Sequence, residues 1–169
     1  MNMKTVILIV SIMIVLAICL LPNTDAQSQR GTKKFFAPGP SPSRLIATDI
    51  EVSQFFNNYI ERYTRKDREG FLQLFSSRVL QNQRAKLEDI RESYGIFFDE
   101  SLELQYDIED RKVEIYENAV EVKARYKIEQ IVEISGERRV FRGRIRWVLT
   151  REDGELKILS IDYRHEKKS

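Results

Sequence analysis

The sequence predicts an α+β fold, with three N-terminal helices packed on a curved antiparallel sheet. Three observations predict it. Apolar residues recur at helical spacing from Val52 to Tyr63. After Phe98 the apolar period falls from 3.6 to 2 and holds almost to the end. From residue 45 onward there is no proline.

The first helix opens at Thr48, which can cap it. Glu51 stands three residues on, at capping-box spacing. Val52, Phe55, Phe56, Tyr59, Ile60 and Tyr63 then form one apolar stripe. Asp67 starts a short second helix with Phe71, Leu72, Leu74 and Phe75 turned inward. The third helix is expected from about Arg84 to Tyr94, presenting Leu87, Ile90 and Tyr94. Gly95 is placed to end it in the left-handed conformation.

Alternation then takes over. The inward set on this parity is Leu102, Leu104, Tyr106 and Ile108, then Val120, Val122, Ala124, Tyr126 and Ile128, then Phe141, Ile145, Trp147 and Leu149. Val113 and Ile115 lie between the first two groups. Ser135-Gly136-Glu137 marks one turn, and Asp153-Gly154 is a strong hairpin signal. In the last strand the apolar phase flips between Ile158 and Leu159, which predicts a β-bulge there. One face of the sheet is apolar and the other charged, as expected of an antiparallel sheet covered on one side.

The segments before this domain read differently. Lys4 precedes an apolar run from Val6 to Leu21, broken only by Ser11 and closed by Pro22. Ala26 ends a small-residue cleavage pattern, so residues 1–26 read as a secretory signal, with an N-terminal anchor as the alternative. Residues 27–44 form a Pro/Gly/Ser linker that carries Arg30, Lys33, Lys34 and Arg44 and no acid. Residues 45–169 are the folded domain. The expected location is therefore outside the cytoplasm, either periplasmic or secreted, or anchored in the inner membrane with the domain outside. Membrane contact is expected only through the N-terminal segment.

Composition bounds the chemistry. The chain has 169 residues, with 28 Lys+Arg, 26 Asp+Glu, one cysteine and one histidine. Cys19 lies in the export segment, so no internal disulfide is expected. One histidine argues against a Cys/His metal site, and no phosphate loop is present, so no metal and no cofactor are expected. The basic excess belongs to the leading segments. The domain itself is slightly acidic, which gives no reason to expect nucleic acid as a partner.

The whole domain resembles the nuclear transport factor 2-like (SnoaL-like) cone, a cystatin-like α+β barrel. The resemblance rests on Tyr59, Tyr63, Asp67, Phe71, Leu74 and Phe75 at their spacing, on Tyr94-x₂-Phe97-Phe98, on Arg144-x-Arg146-Trp147-x-Leu149 and on Asp153-Gly154-x-Leu156-Lys157-Ile158. It covers about residues 47–165. Leu156 departs from the pattern, where the family often has tryptophan. The resemblance implies a sheet curled around the first helix with a pocket in the cone. Its enzymes, such as ketosteroid isomerase, scytalone dehydratase and limonene epoxide hydrolase, imply inward acids, histidines or tyrosines. Here the tyrosines are the only inward titratable groups. Asp162 is expected outward because of the bulge, and His165 is expected in a solvated tail.

The expected function is thus a non-catalytic, stand-alone exported binding module. Tyr59, Tyr63, Tyr106, Tyr126 and Trp147 are the candidate pocket residues for a small apolar ligand, with no catalytic residue assigned. The alternative is a lyase or isomerase using a helix-1 tyrosine as donor. The outward rows Lys123, Arg125 and Lys127, and Arg142, Arg144 and Arg146, form a charged face. Three readings apply to it: a solvated surface, a homodimer interface in an assembly domain without a small ligand, or capture of an anion by the arginines.

Overall fold

The computed structural model describes residues 45–166. The signal and linker expectations lie outside the described residues.

Helix α1 spans Asp49–Thr64 and opens with the expected capping box. The Glu51 backbone N–H donates to Thr48 Oγ1 at 3.2 Å, and the Thr48 backbone N–H donates to Glu51 Oε2 at 2.8 Å. Its buried face is Val52, Phe55, Phe56, Tyr59 and Tyr63. Helix α2 is one short segment, Arg68–Leu72, capped by Asp67. Strand β1 then begins at Phe75 and runs to Gln81. Periodicity does not reveal this strand, because Ser-Ser-Arg supplies no alternation and the register slips between Phe75 and Leu80.

Helix α3 spans Leu87–Asp99, so Gly95 lies inside it rather than ending it. The reason is a close approach. Arg68 Nη2 donates to the Gly95 carbonyl at 3.0 Å and to Asp99 Oδ2 at 2.6 Å. A Cβ at Gly95 would stand 3.1 Å from the Arg68 guanidinium carbon.

Four long strands follow: β2 Ser101–Ile115, β3 Val120–Val132, β4 Arg138–Glu152 and β5 Glu155–His165. They pair antiparallel in sequence, and the full sheet order is β1-β5-β4-β3-β2. β1 joins β5 in parallel, which makes the sheet mixed at that edge. Asp153 and Gly154 both take positive φ, as a tight I′-type hairpin turn requires.

Three irregularities shape the antiparallel part of the sheet. Val148 pairs with Ser160 and Leu149 with Ile158, so Leu159 is the extra residue of a bulge at the predicted place. This lets Ile158 and Ile161 both face the core while Asp162 turns away. A second shift lies between Ser101 and Glu103. It expels Leu102, which is 53% exposed instead of inward. Ser101 is buried in its place, donating to the Phe97 carbonyl at 2.6 Å and accepting from Gln130 Nε2 at 2.8 Å. A third shift, between Glu109 and Lys112, includes Asp110 at positive φ.

The core sits between α1 and the apolar sheet face. Trp147 is fully buried, with Phe56 edge-on at 4.9 Å and Tyr59 at 5.9 Å. Burying such aromatic area supplies the main folding drive.

Candidate functional site

A cavity of about 280 Å³ opens at one end of the cone. Tyr59 and Tyr63 reach it from α1 because they lie one helical turn apart on the buried stripe. Tyr106 and Tyr126 reach it from β2 and β3 on the inward parity. Their rings form a continuous wall: Tyr63 to Tyr106 is 4.8 Å, and Tyr106 stacks on Tyr126 at 6.5 Å. Four of the five candidate pocket residues thus line one cavity. Trp147 does not, because it is sealed behind Tyr59 in the core.

Sequence reasoning placed Tyr94, Ile128, Phe141 and Ile145 inward but named none of the rest of the lining as pocket residues. Tyr94 and Phe97 come from the part of α3 that continues beyond the expected stop, or immediately before it. Gln81 comes from the unforeseen strand β1. Tyr163 and His165 come from the end of β5. His165 is exposed, as its tail position suggested. It nevertheless lines the cavity, and its Nδ1 lies 2.7 Å from the Tyr126 hydroxyl. Which of the two donates depends on the imidazole tautomer. Tyr163 shares the apolar phase of Ile161 beyond the bulge, and one further step of two residues would have placed His165 on the same inner face.

Gly143 makes room for this pair. It is buried opposite both Tyr126 and His165. A Cβ there would meet the Tyr126 ring at 2.8 Å and collide with the Arg164 carbonyl.

The hydroxyls are held neutral. Burial pushes Tyr59 up to about 12, and it drives Tyr63, Tyr94 and Tyr106 well above the ordinary phenol value. Tyr126 is also pushed up to about 12, first by burial and then by the neighbouring Tyr163 and Glu166 charges. The Trp147 indole N–H makes no hydrogen bond of acceptable geometry, yet it lies near enough to Tyr59 to oppose the effect of burial. Gln81 Nε2 donates to the Tyr163 hydroxyl at 3.3 Å, while Gln81 Oε1 is buried without a partner.

Among the described residues no carboxylate lines this cavity. Asp162 points to the opposite face, where its Oδ2 lies 3.4 Å from Arg146 Nη1. Among the described residues no cluster of three metal-ligating side chains occurs, and no helix is long and apolar enough to cross a membrane.

On the outer face, Lys123 pairs with Glu121 at 3.2 Å and Lys127 with Glu129. Arg146 binds Glu121, whose carboxyl is lowered chiefly by that contact. Arg125 has only long contacts, 3.9 Å each, to Asp110 and Glu166. Arg142 and Arg144 have no ion pair among the described residues.

No family model and no curated protein matches the chain. Solved structures do. A scytalone dehydratase candidate from Novosphingobium aromaticivorans superposes with a TM-score of 0.64 at 9% identity, over 70% of this chain and 83% of that one. A calcium/calmodulin-dependent protein kinase II association-domain candidate from Xanthomonas campestris gives 0.63 at 15%, over 73% and 91%. A nuclear transport factor 2-like superfamily protein from Salmonella enterica serovar Typhimurium gives 0.62 at 16%, over 71% and 92%. Names of dehydratases and of an association domain both occur among these neighbours, so the fold does not by itself decide between catalysis and binding. Sheet order, helix placement and these superpositions agree that the described domain has the nuclear transport factor 2-like fold.

Proposed function

We propose that the domain binds a small, mostly apolar ligand in the cone and does not transform it. The observation that carries this reading is the lining: rings and neutral hydroxyls surround the cavity, without a carboxylate to serve as base. The volume lies near the low end of the roughly 300–1,000 Å³ of small-molecule sites, so it suits a one- or two-ring molecule. Gln81 and the Tyr126–His165 pair supply orientation. The Lys4–Leu21 pattern supports an exported location for this binding.

Trp147 is the only tryptophan and packs against the cavity residue Tyr59, so its fluorescence should report occupancy. A panel of mono- and bicyclic aromatic compounds is expected to give saturable changes for some members. Absence of any response, with an unchanged melting temperature for every compound, would overturn the reading.

One observation favours a second reading. The 2.7 Å Tyr126–His165 contact puts a proton acceptor and a phenol at the cavity rim, as a lyase or isomerase could use. Turnover of a bound compound, abolished by His165→Ala while binding persists, would replace the binding reading with this one.

A further inference from the structure

The outer sheet face holds a trough unrelated to the cone. Its volume is about 1190 Å³, and it runs across the strands rather than along them. The floor is the backbone at Ala124, Ile145 and Tyr163, which sit side by side on β3, β4 and β5. One wall is the row Arg125, Arg144, Arg164. Arg144 is directly opposite Arg125 on one side and Arg164 on the other. The other wall is the row Lys112, Lys123, Arg146, Asp162, again in direct register. Arg84 closes the β5 side, next to the turn whose Asn82 accepts the Tyr163 backbone N–H.

The trough collects seven cationic side chains against two carboxylates. Arg84, Lys112, Arg144 and Arg164 have no ion pair among the described residues. Like charges directly opposite in a sheet repel, and the Arg125–Arg144–Arg164 row stacks three with about 5 Å between strands. The chain as a whole is close to neutral, so composition does not account for this concentration. A second copy with its two-fold axis through the trough would set cationic rows against cationic rows.

We propose that this trough binds a linear polyanion whose repeating charges are phosphates. Guanidinium forks match phosphate oxygens two at a time. Three neighbouring strands present them over roughly 10 Å, and Lys112 on β2 extends the cationic length to roughly 15 Å. Among the described residues the trough offers no ring for bases to stack on, because the Tyr163 ring turns to the cavity and its hydroxyl accepts from Gln81 there. Its apolar lining among the described residues is Ala124 and Ile145, both buried in the core, and Tyr163. A densely charged chain without bases or apolar groups fits what is present.

The experiment titrates the full chain with long-chain inorganic polyphosphate at several salt concentrations. Saturable binding that weakens steeply with salt is expected. Arg144→Glu turns two like-charge neighbours into two opposite ones, so this variant should melt no lower than the parent. It should bind polyphosphate at least ten-fold more weakly. Arg91→Glu makes the same charge change on α3, away from the sheet face, and should stay within two-fold of the parent. Equal losses in both variants would show that only net charge matters and would overturn the proposal. So would equally tight binding of polyglutamate, of a single-stranded oligonucleotide or of phosphatidylglycerol vesicles, and so would no binding at low salt.

Discussion

The Tyr126 hydroxyl meets His165 Nδ1 at 2.7 Å, joining the third strand to the last residue of the fifth. This contact makes the open end of the cone polar while its depth stays aromatic. Tyr126→Phe should leave the fold intact and remove one hydrogen bond. Loss of about 0.5–1.5 kcal/mol of ligand affinity, a few-fold to roughly ten-fold, is expected from the Trp147 fluorescence titration if the ligand uses that hydroxyl. Unchanged affinity for every bound compound would assign the pair to structure alone.

Gly143 should tolerate no side chain. Gly143→Ala drives a methyl into the Tyr126 ring and the Arg164 carbonyl. A destabilisation of about 1–3 kcal/mol is expected, read as a lower melting temperature, together with a weaker ligand response. A variant as stable as the parent would mean that β5 can move away freely.

Alkaline pH should destabilise the domain. Tyr59 and Tyr126 titrate near 12 in the folded protein, against the ordinary value of 10 when unfolded. The unfolded chain therefore loses these protons first, and the stability they lend is full below pH 10 and falls as pH rises toward 12. Tyrosinate absorbance in the folded protein should lag behind that of the denatured chain across this window. Coincident curves would contradict the burial of these rings.

The N-terminal cap of α1 should matter at the acid end. Glu51 is lowered to about 2, first by its hydrogen bond from Arg151 and then by those from Thr48. Its contribution is present above the unfolded value of 4.5 and declines as pH falls toward 2. Thr48→Ala should cost about 0.5–2 kcal/mol at neutral pH. It should also flatten the acid limb of the stability curve, measured by chemical denaturation.

Several elements were legible because local rules fix them. The α1 stripe and capping box, the Asp153-Gly154 turn and the Leu159 bulge each follow from neighbours within a few residues. Gly95 misled for a physical reason. A glycine near a helix end looks like a stop, but here it admits the Arg68 guanidinium from another helix. Strand β1 was hidden because it borrows its partner from β5, eighty residues away, and carries little alternation of its own. Leu102 failed because a bulge shifted the parity by one residue.

By itself, the sequence determined the α+β class, the inward tyrosines Tyr59, Tyr63, Tyr106 and Tyr126, and the outward turn of Asp162. Period and phase are properties of adjacent residues, so they can be read along one chain. Only the tertiary structure decided that Trp147 is sealed behind the cavity, that Gln81, Tyr163 and His165 help to line it, and that Arg125, Arg144 and Arg164 form one row. Those facts depend on which residues of different strands come into register, and no local pattern encodes that pairing.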